Sequence, residues 1–183
     1  MHRHWFPKPY ADFVARLRVP GGFLLVAAFL WLSDPTAPSL LYGLPVSVLG
    51  LWLRGWAAGH LAKNERLTTS GPYAWVRNPL YVGTLLTAAG LVIASRRASL
   101  AVLFTAVFLL VYLPVIELEE QYLRQLFVAF DDYAERVPML VPRGRSRTES
   151  IRFQWRLYLH NREYQALAAF LAGVAVLVFK SYL

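Results

Sequence analysis

Arg77, Asn78 and Pro79 stand in a row ahead of one apolar stretch, and Glu117, Glu119 and Glu120 close another. A guanidinium beside the free N–H groups that open a helix suits a carboxylate, because both present donors to its oxygens. Paired glutamates suit an ammonium or another cation. Tyr73, Trp75, Tyr81 and Tyr133 are near these groups in sequence and could wall an aromatic or apolar ligand, although such rings also settle at membrane interfaces. Other chemistries find little support: no glycine-rich phosphate loop follows a strand, and no Ser-His-Asp or His-Glu-x-x-His pattern is present. The chain has no cysteine, and His2, His4, His60 and His160 are too scattered to propose a metal centre.

The elements that must position these residues are apolar. Of 183 residues, 57% are hydrophobic and 16% charged, a balance too greasy for an ordinary soluble domain. Uncharged runs cover Val19–Ser33, Pro35–Leu53, Asn78–Ser95, Ala98–Ile116 and Tyr164–Phe179. A spanning helix needs about 20 apolar residues, and Arg16 and Arg18 can lend length to the first run by laying their stems along it. We therefore expect an all-α membrane bundle of about five spans, forming a single integral membrane domain over residues 1–183. Within it, a cofactor-binding core covers about 60–143, with a polar segment after the fourth span, and an interfacial segment with the last helix covers about 150–182.

The net charge of +8 falls on alternate loops, which argues for membrane topology rather than nucleic-acid binding. Positive residues crowd the N-terminal segment, the loop after span two and the long segment after span four. These parts are expected in the cytosol, with the C-terminus outside, in the inner membrane if the cell is bacterial. A signal peptide is the alternative for the N-terminus, but Asp34-Pro35 follows the apolar run where a small-x-small cleavage site would be needed.

The short Ser95–Ser99 connection predicts a tight antiparallel hairpin of spans three and four, which would bring Arg77 and the glutamates to one membrane face. Asn78 fits an N-cap and Pro79 the first helical position. The bland alternative pairs Glu120 with Arg124 on a helix that continues past the membrane. Farther on, Arg143-Gly144-Arg145-Ser146-Arg147 reads as a basic linker near anionic lipid. Ile151 to Tyr164, with Phe153, Trp155 and Tyr158 among Arg152, Arg156 and Arg162, reads as interfacial.

Two stretches carry a resemblance. The first is Gly71-Pro72-Tyr73-Ala74-Trp75-Val76-Arg77-Asn78-Pro79-Leu80-Tyr81-Val82-Gly83; the second runs from Glu119-Glu120 through Leu123, Phe127, Phe130 and Tyr133 to Val137-Pro138 and Pro142. Together they resemble the isoprenylcysteine carboxyl methyltransferase and phospholipid methyltransferase superfamily of integral membrane enzymes, over Arg54 to Arg143. The chain departs from that pattern at Asn78, where histidine is usual, and at Val128 and Phe130, in place of glycine and tyrosine. An amide can cap a helix and donate a hydrogen bond, but it cannot act as a general base as imidazole can.

The resemblance implies a methyltransferase using S-adenosylmethionine, leaving S-adenosylhomocysteine, on a lipid-like or other membrane-partitioned acceptor that presents a carboxylate, an amine or a thiol. The expected cofactor-binding residues are Tyr73, Arg77, Asn78, Pro79, Tyr81, Gly83, Glu119, Glu120 and Tyr133. A carboxylate acceptor needs no base; an amine must be neutral, and Glu117 or Glu120 could then take its proton. Expected partners are membrane lipids and an amphiphilic acceptor, with no nucleic acid and no obligate protein partner. Two other classes remain open: an NADPH-dependent sterol-type reductase, with Arg143, Arg145 and Arg147 on a phosphate, and a non-enzymatic membrane scaffold.

Overall fold

In the computed structural model, residues 6–144, 146 and 151–182 are described, so Arg145 and Arg147, like His2 and His4, lie outside the described residues. Those residues form helices with no strand among them: α1 (Lys8–Leu32), α2 (Ala37–Ala58), α3 (Pro79–Ser95), α4 (Ala98–Val107), α5 (Leu113–Leu126), α6 (Phe130–Arg136), α7 (Trp155–His160) and α8 (Tyr164–Lys180). All five expected apolar segments are helical. Helix α1, helix α2 and the continuous run Ala98–Leu126 are long and apolar enough to cross a membrane, while α3 and α8 are apolar but shorter, at 17 residues each. This is an integral membrane helical bundle.

Helix α1 begins at Lys8, well before the apolar run at Val19, so Asp12, Arg16 and Arg18 lie on its first turns. Helices α4 and α5 are joined without a break by a π turn at Phe108–Tyr112. Pro114 explains that turn. Proline has no N–H, so the Leu110 carbonyl loses its usual partner four residues on. The Tyr10 hydroxyl of α1 donates to that carbonyl instead, at 2.6 Å.

The close pair in the bundle is α2 with α3, not the expected α3–α4 hairpin. Gly43 and Gly50 on α2 meet Gly90 and Gly83 on α3 in antiparallel register, with Ser47 and Thr87 between them. A Cβ on Gly83 would sit 2.7 Å from the Gly50 carbonyl, so only glycine lets the backbones approach this far. Across the seam, the Ser39 hydroxyl donates to the Ala94 carbonyl and the Ser47 hydroxyl to that of Thr87, each at 2.9 Å. Helix α4 presents Leu100 and Phe104 instead of small residues and stands off from α3.

At the far end, Leu40, Ala94 and Leu177 form a small core that docks α8 on α2 and α3. The Lys180 ammonium donates to the Leu30 carbonyl at 3.0 Å and to that of Ser33, closing the C-terminal carbonyls of α1 as a cation does best.

Candidate functional site

A cavity of about 1270 Å³ lies between α1, α3 and the α4–α5 helix. Its two ends differ in chemistry. One carries Arg18, Arg54, Arg77, Asn78, Tyr81, Glu119 and Glu120; the other is walled by Val26, Phe29, Leu91, Val92, Leu100 and Phe104.

The polar end is built on Arg77. Its Nε and Nη2 each donate at 2.9 Å to Glu120, one to either carboxylate oxygen, while Nη1 donates at 2.7 Å to the carbonyls of Ala134 and Val137. One planar fork thus pairs a carboxylate and closes the C-terminal end of α6, a task a lysine ammonium could not duplicate. The Asn78 amide donates to Glu120 Oε1 at 2.8 Å. Asn78 does occupy the N-cap of α3, but it gives its side chain to Glu120 and not to its own helix. The two sequence-distant clusters therefore converge as expected, though by neutralising each other. Glu120 pairs with Arg77 and not with Arg124, which is 2.9 Å from Asp131.

The neighbouring carboxylate is arranged differently. Glu119 Oε1 accepts from the Tyr81 hydroxyl at 3.1 Å and from Arg18 at 3.2 Å. The side chains of Arg18 and Glu119 are 43% and 47% exposed, against 12% and 7% for Arg77 and Glu120. Glu119 thus faces the cavity with capacity for another donor, while Glu120 is fully committed. Lower on the wall, Arg54 pairs through Nε and Nη2 with Glu163 at the start of α8 and donates to the Thr84 hydroxyl.

Backbone pairing carries the loop after α2 and the segment after α6 past each other. Arg77 N–H donates to the Pro138 carbonyl at 2.9 Å, Asn78 N–H to Met139 at 3.2 Å and Gln154 N–H to Gly59 at 2.9 Å. His60, buried beneath them, has one ring nitrogen 2.9 Å from the Trp56 carbonyl and the other 3.1 Å from that of Ile151. Gly71 lies against this ring with φ +61, where a Cβ would come 2.7 Å from His60 Nε2. Backbone and space both require glycine there. The Tyr133 hydroxyl donates to the Tyr73 carbonyl at 2.8 Å. Burial, more than any neighbouring charge, pushes both phenols well above their usual range.

Of the residues expected from sequence, Tyr73, Arg77, Asn78, Tyr81, Glu119, Glu120 and Tyr133 line the cavity; Pro79, Gly83 and Glu117 are not among its lining. Pro79 opens α3 and Gly83 is spent on contact with α2. Trp75 is also absent from the wall and is 43% exposed. Sequence reasoning missed Arg18 and Arg54 as site residues, reading Arg18 as a membrane anchor and Arg54 as a positive charge of the loop after span two. The available signal was an arginine at the end of an apolar run on two separate spans, since intramembrane charges tend to face cavities.

The sequence was compared with known proteins. A family profile described as phospholipid methyltransferase matches residues 40–129, the stretch from α2 through both glutamates. Over 151 residues the chain is 30% identical to the nickel-cobalt-cadmium resistance protein NccN of Alcaligenes xylosoxydans xylosoxydans, covering 75% of this chain and 70% of that protein. Over 114 residues it is 34% identical to the cobalt-zinc-cadmium resistance protein CzcN of Cupriavidus metallidurans, covering 62% of this chain and about half, 52%, of that protein. No solved structure matches. With Arg77, Asn78 and Glu120 locked together inside the matched stretch, the chain belongs to the phospholipid methyltransferase family of membrane proteins.

Proposed function

We propose that the chain is an S-adenosylmethionine-dependent methyltransferase acting on an amphiphile taken from the bilayer. The observation that carries this reading is one continuous cavity, charged at one end and apolar at the other, between membrane helices. A water-soluble cofactor and a lipid-soluble acceptor can meet there.

The donor set fits the cofactor. Glu119 supplies negative charge for an ammonium and for the positive field of a sulfonium. Lys63 and Arg66, cations at the cavity wall, suit the carboxylate that sequence reasoning gave to Arg77. Tyr73 and Tyr81 offer ring faces and edges to an adenosine. When bound, S-adenosylmethionine supplies an electrophilic methyl group for in-line displacement.

The chain's own residues orient and shield. Arg77, Glu120 and Asn78 fix the start of α3 against α5 and α6, so that Tyr81 and Glu119 face each other across the polar end. Positioning is expected to supply most of the acceleration, because transfer needs the reacting atoms held about 3–3.5 Å apart and aligned. The apolar helices on the other walls keep bulk water from the transfer. If the acceptor is an amine, Glu119 is better placed than Glu120 to take its proton, since Arg77 keeps the Glu120 carboxylate engaged.

Positive-inside logic supports a cytosolic N-terminus and polar end, with Lys180 on the opposite side. The resistance named in NccN and CzcN supports a setting of nickel, cobalt, zinc or cadmium stress, in which methylation changes a membrane component. Native membranes incubated with the protein and methyl-labelled S-adenosylmethionine, then extracted with organic solvent, test the proposal. A labelled lipid-phase product is expected; a label confined to water-soluble material would contradict it.

A further inference from the structure

Gly22 of α1 has no packing reason to be glycine. At Gly43, Gly50, Gly83 and Gly90 a Cβ would collide with the partner helix; at Gly22 its nearest contact is the Tyr112 hydroxyl at 4.0 Å. Its φ is not in the left-handed region either, and glycine inside a helix weakens it relative to alanine. Tyr112, projecting from the other wall, extends its hydroxyl across to α1, where a Cβ at Gly22 would just touch it and any longer side chain would meet it.

Tyr112 ends the π turn caused by Pro114, and its ring meets the edge of Tyr81 at 6.2 Å and stacks on Phe108 at 6.3 Å. Along α1, Arg18 comes one turn before Gly22 and Val26 one turn after it, and both line the same cavity as Tyr81, Glu119, Phe29, Leu91 and Leu100. The geometry points to Tyr112, with Gly22 opposite, as the residue that selects the acceptor: its ring stands between the polar end and the apolar end of the cavity, where the hydrocarbon part of an amphiphile must pass it. This rests on the reading of the cavity as an acceptor site.

A branched side chain at Gly22 would enter the space of the Tyr112 hydroxyl and close the passage. Gly21 supplies the matched control, since a Cβ there meets nothing within 4 Å and Gly21 is not part of the cavity wall. The probe is a sixteen-carbon fatty acid with a diazirine at its methyl end, photolysed with the protein in lipid nanodiscs. Labelling is read by mass spectrometry at Leu100, which lines the apolar end of the cavity.

Wild type and Gly21→Leu should label Leu100 alike, Gly22→Leu should lose roughly tenfold, and Gly22→Leu combined with Tyr112→Ala should regain it. Unchanged labelling in Gly22→Leu, no regain in the double variant, or no labelling of Leu100 in wild type overturns the proposal. Calorimetry with S-adenosylhomocysteine on the same preparations separates the two readings. A wild type that takes the chain but not this nucleoside refutes methyl transfer while the selector stands.

Discussion

Glu119 and Glu120 are neighbours in sequence but live in different regions of the molecule. Glu120 sits in a buried clamp where Arg77 and Asn78 occupy its carboxylate. Glu119 sits in a half-exposed vestibule, held among the described residues by Arg18 and Tyr81. Consecutive helical positions point about 100° apart, so one rigid helix can send one carboxylate inward to hold the fold and the next toward a ligand. A pair of identical residues thus divides into a buried scaffold group and a half-exposed one that faces the cavity.

The largest effect should come from breaking the clamp. Arg77→Ala leaves the buried Glu120 carboxylate without its counter-ion and the Ala134 and Val137 carbonyls without their donor, and should cost about 3–5 kcal/mol in thermal unfolding of the detergent-solubilised protein. Replacing Arg77 and Glu120 together by apolar residues of similar size should recover part of that loss, as happens when neither charge is left stranded. Next in size, Gly90→Ala drives a Cβ into Ser47 and the Gly43 carbonyl and should cost about 1–3 kcal/mol by the same assay. Its effect would show that α3 is held from the α2 side, while the clamp fixes its polar end.

Tyr133→Phe removes one buried hydrogen bond to the Tyr73 carbonyl and should cost about 1 kcal/mol. The raised phenol ranges also set a sign. A proton held more tightly in the folded state stabilises it below the unfolded tyrosine range, near pH 10, and that contribution fades as pH climbs further. Stability should therefore fall in alkali above about pH 10, and Tyr133→Phe should lessen the fall. Smallest of all for stability is the vestibule: Glu119→Gln or Arg18→Ala should change unfolding by no more than about 1 kcal/mol, because the pair is exposed and screened. Parity between Glu119→Gln and Arg77→Ala in that assay would erase the division between the two regions.

Sequence alone made the five apolar helices legible, because charge is absent from each run, and it brought Arg77 to the glutamates. The start of α1 was not legible, since a helix on its way out of a membrane carries charge as readily as a loop does. Nor was the tight α2–α3 pair: Gly43 and Gly50 are informative only once set against Gly90 and Gly83 in antiparallel register. The role of Arg77 was half legible. A guanidinium beside a helix start predicts an oxygen-rich partner, but that the partner is Glu120 together with the carbonyls of Ala134 and Val137 depends on how α6 folds back. Arg18 needed the course of α1 past Glu119, which no spacing in the chain encodes.

Under the proposed function Glu119, and not Glu120, meets a methyl-donor cofactor in the vestibule. Calorimetric titration of the detergent-purified wild type and Glu119→Gln with S-adenosylhomocysteine tests it most directly. The account predicts binding by wild type and an affinity loss of roughly tenfold or more in the variant, whose melting stays near wild type. Equal binding by the two proteins, or none by wild type, would contradict it.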